Sequence, residues 1–343
     1  MGLSVALKEG NDMVTQEQIA QKLGISRQLV TFALAGYPQV SAASRKRILV
    51  AAEKMGYRPN PHARALKRGR TGIIALWIPD QISTHYTRVA RELNHLLKQA
   101  KHELIISDVG NDRSAEQVLS HLPMDGVFAV DAPNAVQAHL KSAAARSIPV
   151  ISLGAHRPTK TDYVQVDLQA GAGEAMQHLI SSGFRRIVHA TFERKEKAGT
   201  GRRLAYEQAM QQAGLKPEFF YYPLSERQRP IVRQSIQDYV RENGCPEAIF
   251  CHSDDVALGI YRGLCDLKLR VPQDVALVGC DGIQDTEYLE SPITTLVQPV
   301  AEMCATAWRF LLQRLENPDV KQQHAVLKPE LAIRESSRRQ PPS

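Results

Sequence analysis

The stretch VTQEQIAQKLGISRQLVTFAL, residues 14–34, is the most legible part of the chain. Thr15-Gln16-Glu17-Gln18 has the spacing of a capping box: the Thr15 side chain can accept from the N–H of residue 18 while Gln18 reaches back. Ile19, Ala20 and Leu23 then recur at helical spacing, and Gly24 stands where a helix-ending glycine belongs. After apolar Ile25, Ser26 can cap a second helix running from Arg27 to about Leu34, with Leu29, Val30 and Ala33 on one face. Helix, three-residue turn, helix is helix-turn-helix spacing. A third helix follows, capped by Ser41, with Ile48, Ala51, Ala52 and Met55 as its buried stripe and Gly56 as its stop.

In such a unit the second helix enters the major groove of duplex DNA and its N-terminal residues face base edges. Here those residues are Ser26, Arg27, Gln28 and Thr31. Arginine can bond guanine, and glutamine adenine, through two hydrogen bonds each. Arg45, Lys46, Arg47 and Lys54 suit phosphates, which give affinity without sequence information. A plain three-helix bundle with a solvated polar face would show the same pattern.

Charge favours the nucleic-acid reading. Residues 1–72 hold 12 lysines and arginines against 4 acidic residues, whereas the other 271 hold 31 against 32. A small basic module is joined to an electroneutral body, an asymmetry that points to a polyanionic partner for the first segment. The chain as a whole, 343 residues with 43% hydrophobic and 23% charged, has ordinary globular composition and room for two or three domains.

No apolar run nears the ~18 residues of a membrane span. The first residues lack the basic and apolar segments of a secretory signal, so a cytoplasmic location is expected. Residues 1–13 read as a disordered or misassigned extension, with Met13 a candidate start. Cys245, Cys251, Cys265, Cys280 and Cys304 have no Cys-x-x-Cys spacing, which suits reduced thiols and neither a metal site nor a disulfide framework.

These pieces together resemble the LacI/GalR family of bacterial transcription regulators. The match runs through Val14-Thr15, Ile19-Ala20, Gly24-Ile25-Ser26, Val30-Thr31, Val40-Ser41, Arg45, Ala51-Ala52, Met55-Gly56-Tyr57, Pro59-Asn60 and Ala63-Arg64-x-Leu66, and the resemblance continues to about residue 336. It implies a DNA-binding domain over 14–59, a hinge helix over 60–70, and an effector-binding and dimerisation body over 71–336, with a tail at 337–343. Asn60 is a good N-cap and Pro61 suits the first helical position. So short a helix is marginal alone, and should order only against DNA and a partner hinge. In the family the leucine matching Leu66 wedges into the minor groove, where unstacking costs ~a few kcal/mol that extra contacts offset. Thr15, Tyr57, Asn60 and Arg64 join the expected DNA-contacting set. Phe32 departs from the polar or basic residue common at its place, and either touches a thymine methyl or packs inward.

From residue 71 onward, strand-like and helical runs alternate. Ile73–Ile78, Glu103–Ser107, Gly126–Val130 and Val150–Leu153 form a first series. Tyr163–Val166, Ile187–Ala190, Phe219–Tyr222, Ala248–Cys251 and Val275–Cys280 form a second. Strands about every 30 residues imply parallel sheets with right-handed crossovers. The expected fold is α/β: a three-helix headpiece with hinge helix, then a two-lobed body like periplasmic sugar-binding proteins, its lobes joined by crossings near 162 and 292. Ligand would sit in the cleft at the strands' C-terminal ends.

The polar groups there are His85, Tyr86, Asp108, Arg203, Ser253, Asp254 and Asp281. The resemblance matches Arg203, Ser253 and Asp281 to positions that bind effector hydroxyls or carboxylates. Asp254 suits a helix cap better, and His85 and Tyr86 could be lobe core. Tyr206 and Cys280 depart from the family pattern and could reshape the pocket. Enzyme readings have little to stand on. Gly171-Ala172-Gly173 and Gly199-Thr200-Gly201 both fail as dinucleotide fingerprints, at Met176 and Leu204, and Asp254 with Asp281 is a glycosidase pair only in imagination. A solute-binding protein would lack the basic headpiece.

The resulting expectation is a homodimeric repressor on a pseudo-palindromic operator, answering a small polar effector of carbohydrate type, with no cofactor, metal or membrane partner. An activator, or a regulator whose effector promotes DNA binding, is the alternative.

Overall fold

The computed structural model describes residues 14–57, 70–79, 83–110, 123–158, 160–192, 201–225 and 227–339, in two compact units that divide between Thr71 and Gly72. The hinge residues Asn60, Arg64 and Leu66, and residues 1–13, lie outside the described set.

The first unit is built from three helices, α1 (Gln16–Leu23), α2 (Arg27–Leu34) and α3 (Ala42–Lys54). Both halves of the Thr15–Gln18 capping box are formed, and Gly24 ends α1 at φ 64°. Ser26 and Ser41 cap α2 and α3 through their side chains. Ile19, Ala20, Val30, Ala33, Val40, Ile48, Ala51 and Ala52 make its buried centre.

The second unit contains two six-stranded sheets. Its elements are β1 (Ile73–Ile78), α4 (Thr84–Gln99), β2 (Glu103–Asp108), β3 (Gly126–Val130), α5 (Pro133–Lys141), β4 (Val150–Gly154), β5 (Asp162–Val166), α6 (Leu168–Ser181), β6 (Ile187–Thr191), α7 (Gly201–Gln212), β7 (Glu218–Tyr221), α8 (Gln228–Asn243), β8 (Ala248–Cys251), α9 (Asp254–Asp266), β9 (Ala276–Asp281), β10 (Thr294–Val297), α10 (Val300–Glu316), β11 (His324–Leu327) and β12 (Glu330–Ala332). The first sheet has the order β11-β5-β4-β3-β1-β2, and every pair is parallel. The second has the order β12-β10-β9-β8-β6-β7, with only β12 antiparallel. Strands buried on both faces, such as β1, β3 and β9, are continuous apolar runs, as a parallel sheet between helices requires.

Two boundaries differ from the expectation. The crossings fall at Asp167, at Gln298-Pro299 and at Lys328-Pro329, not near 162 and 292. Tyr163–Val166 therefore does not open the second series: it pairs with β4 and β11 in the first sheet. An apolar run announces a strand but not the sheet that takes it. What holds β5 is Asp162, whose carboxylate receives Arg314 at 2.8 and 3.0 Å and the Gln323 N–H at 2.8 Å. The tail also begins later than 337. Ser336 and Ser337 are fully buried, and Ser337 Oγ lies 2.8 Å from His178 Nε2 and 2.7 Å from Thr294 Oγ1. Small hydroxyls in a polar, Pro-rich sequence look solvated until a neighbouring lobe supplies their partners.

Arg314 and Asp162 are 20% and 2% exposed at the side chain, so removing one charge strands the other in a dry site. Asp162→Asn is expected to cost about 3 kcal/mol, read as a lower urea midpoint with unchanged slope.

Candidate functional site

In the headpiece, Ser26 Oγ accepts from Leu29 N at 3.2 Å, which leaves Arg27 and Gln28 exposed at the start of α2. This is the groove-facing group expected from the sequence. The other described members of the expected set, Thr15, Thr31, Phe32 and Tyr57, are employed internally. Thr31 donates to Gln16 Oε1 at 2.8 Å, and Gln16 Nε2 donates to Tyr57 Oη at 2.9 Å. One amide thus ties α1, α2 and the segment after α3 together. Gln16 escaped notice because it sits beside a stronger signal, the capping Thr15. Thr15 is itself spent in the box, with Gln18 N at 3.2 Å. Phe32 takes the inward alternative: it packs on the headpiece core, edge-on to Tyr37 at 5.3 Å. Of the basic residues assigned to phosphates, Arg45 donates to Tyr37 O and Arg47 to Leu23 O.

The body's site follows from topology. Reading each sheet from its edge, β2-β1-β3-β4-β5 and β7-β6-β8-β9-β10 share one order, and each reverses direction between its first strand and its third. In open α/β sheets, ligands bind outside the strands' carboxyl ends at that reversal. In the first lobe the residues following β1 and β3 include His85 and Asp131. In the second, those following β6 and β8 include Arg202, His252 and Asp254.

Arg202 is the centre of the arrangement. It is 9% exposed; its Nη2 donates to His252 Nε2 at 2.7 Å and its Nη1 lies 3.6 Å from Cys280 Sγ. Burial opposes its charge, but Cys280 with the carboxylates Asp281 and Asp131 outweighs burial and raises its pKa. One of those carboxylates comes from each lobe. Arg203, the expected ligand contact, is placed differently: its guanidinium lies over the Phe219 ring at 4.6 Å and Nε donates to Glu207 at 3.1 Å. Neighbours on a helix diverge by ~100°, so Arg202 and Arg203 point to different surroundings. With Arg202 as the reference, the residue three positions on is the small Ala205. Tyr206 is fully buried, 2.8 Å from Ile187 O and accepting from Glu218 N at 2.8 Å, so it brackets β6 and β7 instead of reshaping a pocket.

Asp281 is 5% exposed at φ 125°, and its Oδ1 accepts from Gln298 Nε2 at 2.8 Å. Asp254 is not the cap of α9; Ser253 is, with Oγ 3.3 Å from Val256 N. Asp254 is fully buried and accepts from Thr295 Oγ1 at 2.7 Å and Ile283 N at 2.9 Å. It can lie there because residue 279 is glycine: a Cβ would fall 2.0 Å from Asp254 Oδ1. Burial pushes both carboxyls upward, and Asp254 is pushed further by the charge of Asp281.

His85 is 4% exposed, and neither ring nitrogen has a partner among the described residues. Burial brings its pKa down to about 4, Asp131 working against the shift and Arg202 and Arg88 with it. A neutral imidazole with two unmet nitrogens therefore faces the groups around Arg202, and Tyr86 stands edge-on to it at 5.5 Å. Asp131, at φ 46°, accepts from Ala155 N at 2.8 Å. It was legible in principle, since it ends a strand run just as Asp281 does. Asp108 ends the edge strand β2, away from the reversal, and accepts from Gly110 N at 2.8 Å.

Comparison with known proteins agrees with both halves. A model of the periplasmic binding protein-like domain matches residues 176–337. The ribose operon repressor of Haemophilus influenzae is 28% identical over 331 residues, covering 94% of this chain and 98% of its own. The lac repressor dimer, solved bound to operator and an anti-inducer, superposes with a TM-score of 0.78 at 20% identity, over 95% of this chain and 99% of that one. A LacI family regulator from Enterococcus faecium solved with bound ribose has a TM-score of 0.68 at 22% identity, over 77% and 98%. Along nearly its whole length the chain is similar to LacI/GalR-type regulators. LacI/GalR architecture accounts for the basic first unit and the two-lobed second. Among the described residues no helix is long and apolar enough to cross a membrane, and no cluster of His, Cys, Asp and Glu is placed to hold a metal ion.

Beneath this site, His189 is fully buried between aromatic rings, stacked on Phe250 at 5.1 Å, and its pKa falls to about 3 through burial. Below pH ~6.5 the unfolded chain takes up a proton that this folded imidazole refuses. Its contribution is therefore complete above that pH and lost on acidification, by about 1.4 kcal/mol per pH unit. The raised Asp254 and Asp281 work in the opposite sense, so the comparison must isolate His189. The stability difference between His189→Phe and wild type, from urea unfolding, should move about 1.4 kcal/mol in the variant's favour between pH 7.5 and 5.5. A difference independent of pH would mean that the ring is not held neutral.

Proposed function

We propose that this protein is a cytoplasmic, non-enzymatic, sequence-specific repressor whose operator affinity is set by a small uncharged polyhydroxyl effector bound between the body's lobes. The observation that carries the effector half is the set around Arg202. Its charge is favoured by the nearby carboxylates Asp281 and Asp131, while Arg202 Nε and both His85 nitrogens have no partner among the described residues. A ligand must supply hydrogen bonds there and need not supply charge. Leaving a buried polar group unpaired costs ~1–3 kcal/mol, so a hydroxyl that reaches His85 recovers a real deficit. The ribose operon repressor and the ribose-bound regulator among the relatives support a carbohydrate.

Operator recognition rests on Arg27 and Gln28, exposed at the start of a rigid α2. The operator-bound lac repressor dimer supports a homodimer on a pseudo-palindromic site. In this reading Leu66, within segment 60–70, wedges into the minor groove at the centre. An effector with higher affinity for one lobe arrangement shifts the population towards it, and operator affinity follows.

Two measurements test the two halves. By calorimetry with D-ribose and other neutral sugars, Arg202→Gln is expected to weaken binding about ten- to a hundredfold, the worth of a charge-assisted hydrogen bond, and Arg203→Gln to leave it near wild type. The reverse ranking would restore Arg203 as the contact. In an operator selection, Arg27→Ala is expected to lose ~1–3 kcal/mol of specific binding and relax one base position. Unchanged selectivity would remove Arg27 from the readers.

A further inference from the structure

The N-terminus of α4 in the first lobe is capped from the second. Ser83 occupies the cap position but makes no side-chain cap bond. The Thr84 N–H donates instead to Asp255 Oδ2, near the start of α9, at 3.1 Å, and Thr84 Oγ1 donates to Asp255 Oδ1 at 3.0 Å. A carboxylate at a helix N-terminus meets both unpaired N–H groups and the positive end of the helix dipole. Arg229, in the first turn of α8, closes the ring. Its Nε donates to Asp255 Oδ1 at 2.8 Å, and its Nη2 reaches Thr84 Oγ1 at 2.9 Å and Asp285 at 3.1 Å. One turn along α4, Arg88 Nη1 donates to the Gly282 carbonyl at 2.9 Å and lies 3.4 Å from that of Asp281. All these elements follow the carboxyl ends of strands, and so stand at the same edge as the chamber.

We propose that Thr84, Arg88, Asp255 and Arg229 are positioning residues for that chamber: a clasp that draws the lobes together with no effector present and, through Arg88, fixes the backbone that carries Asp281. None of the four needs to touch the effector. The inference depends on the proposed function only for its consequence, a preformed binding site. Closure itself depends on the contacts alone, so it can fail while the chamber remains an effector site, and the reverse.

The test is hydrogen exchange by mass spectrometry together with small-angle scattering on the full chain without effector. In Asp255→Ala, exchange in the first turn of α4 and at residues 281–283 should accelerate about tenfold, the scale of a lost cap. The radius of gyration should rise, while exchange within β1, β3, β8 and β9 stays at the wild-type level. Thr84→Val should show the same pattern more weakly, and Thr84→Ser, which keeps the hydroxyl, should match wild type. A variant whose strands also exchange faster has been destabilised globally, and the Thr84 pair then decides the question. Wild-type exchange at these segments as fast as in Asp255→Ala would overturn the clasp, as would an Asp255→Ala chain as closed as wild type.

Discussion

A buried guanidinium must be balanced from nearby, and in this body the balance for Arg202 comes from two separate sheets. Asp281 ends a strand of the second lobe and Asp131 directly follows a strand of the first. Arg202 is therefore best satisfied when the lobes face each other, and the relative position of two otherwise independent sheets becomes an electrostatic variable. The remaining features of the site serve this arrangement. His252 presents its unprotonated Nε2 to the guanidinium and is held neutral, chiefly by burial. Gly279 yields the space that Asp254 needs to brace the backbone of residues 282–283. Gln298, at a crossing between lobes, holds the Asp281 carboxylate.

The headpiece solves a different problem with a small core. Eight buried residues, four of them alanine beside two isoleucines and two valines, supply limited apolar area. Capping and the Gln16 relay supply the rest of its definition. Three serine and threonine caps meet N–H groups that would otherwise face water. The relay through Thr31 and Tyr57 orients α2 from behind, so Arg27 and Gln28 project from a fixed helix start, not a frayed one. Phosphate attraction from the basic first segment then acts on a preformed surface.

What could be read from residues alone divides along the range of the forces. The headpiece was legible almost entirely, because a capping box, a left-handed glycine and a 3.6-residue stripe are local events. The existence of β5 was equally visible, but its sheet was not. That choice is made by Arg314 and Gln323, more than 150 positions away. Whether Arg202 or Arg203 turns toward the chamber depends on the phase of α7, where a step of one residue rotates the side chain by ~100°. Ser337 and the Asp255 cap on α4 are invisible for the same cause, since each completes a hydrogen bond whose other half belongs to a distant element. Asp131 was a different kind of omission, since the strand-end rule that chose Asp281 applied equally to it.

The chamber and the clasp pull against each other energetically, and this makes the body responsive. With no ligand, the chamber holds a buried imidazole whose two nitrogens have no partner among the described residues, beside two carboxyls that burial pushes upward. Each unmet group costs ~1–3 kcal/mol. The clasp contributes a charge-assisted cap, a bridging arginine and a second arginine on two carbonyls. Exposed ion pairs add ~0–1 kcal/mol each, so the part of the clasp that matters is Asp255, whose side chain is only 14% exposed. A ligand that satisfies His85 then needs only a few kcal/mol of preference for the closed form to dominate the equilibrium. Had the chamber been apolar and fully satisfied, the clasp would hold it shut whatever was bound, and the headpiece would have nothing to report.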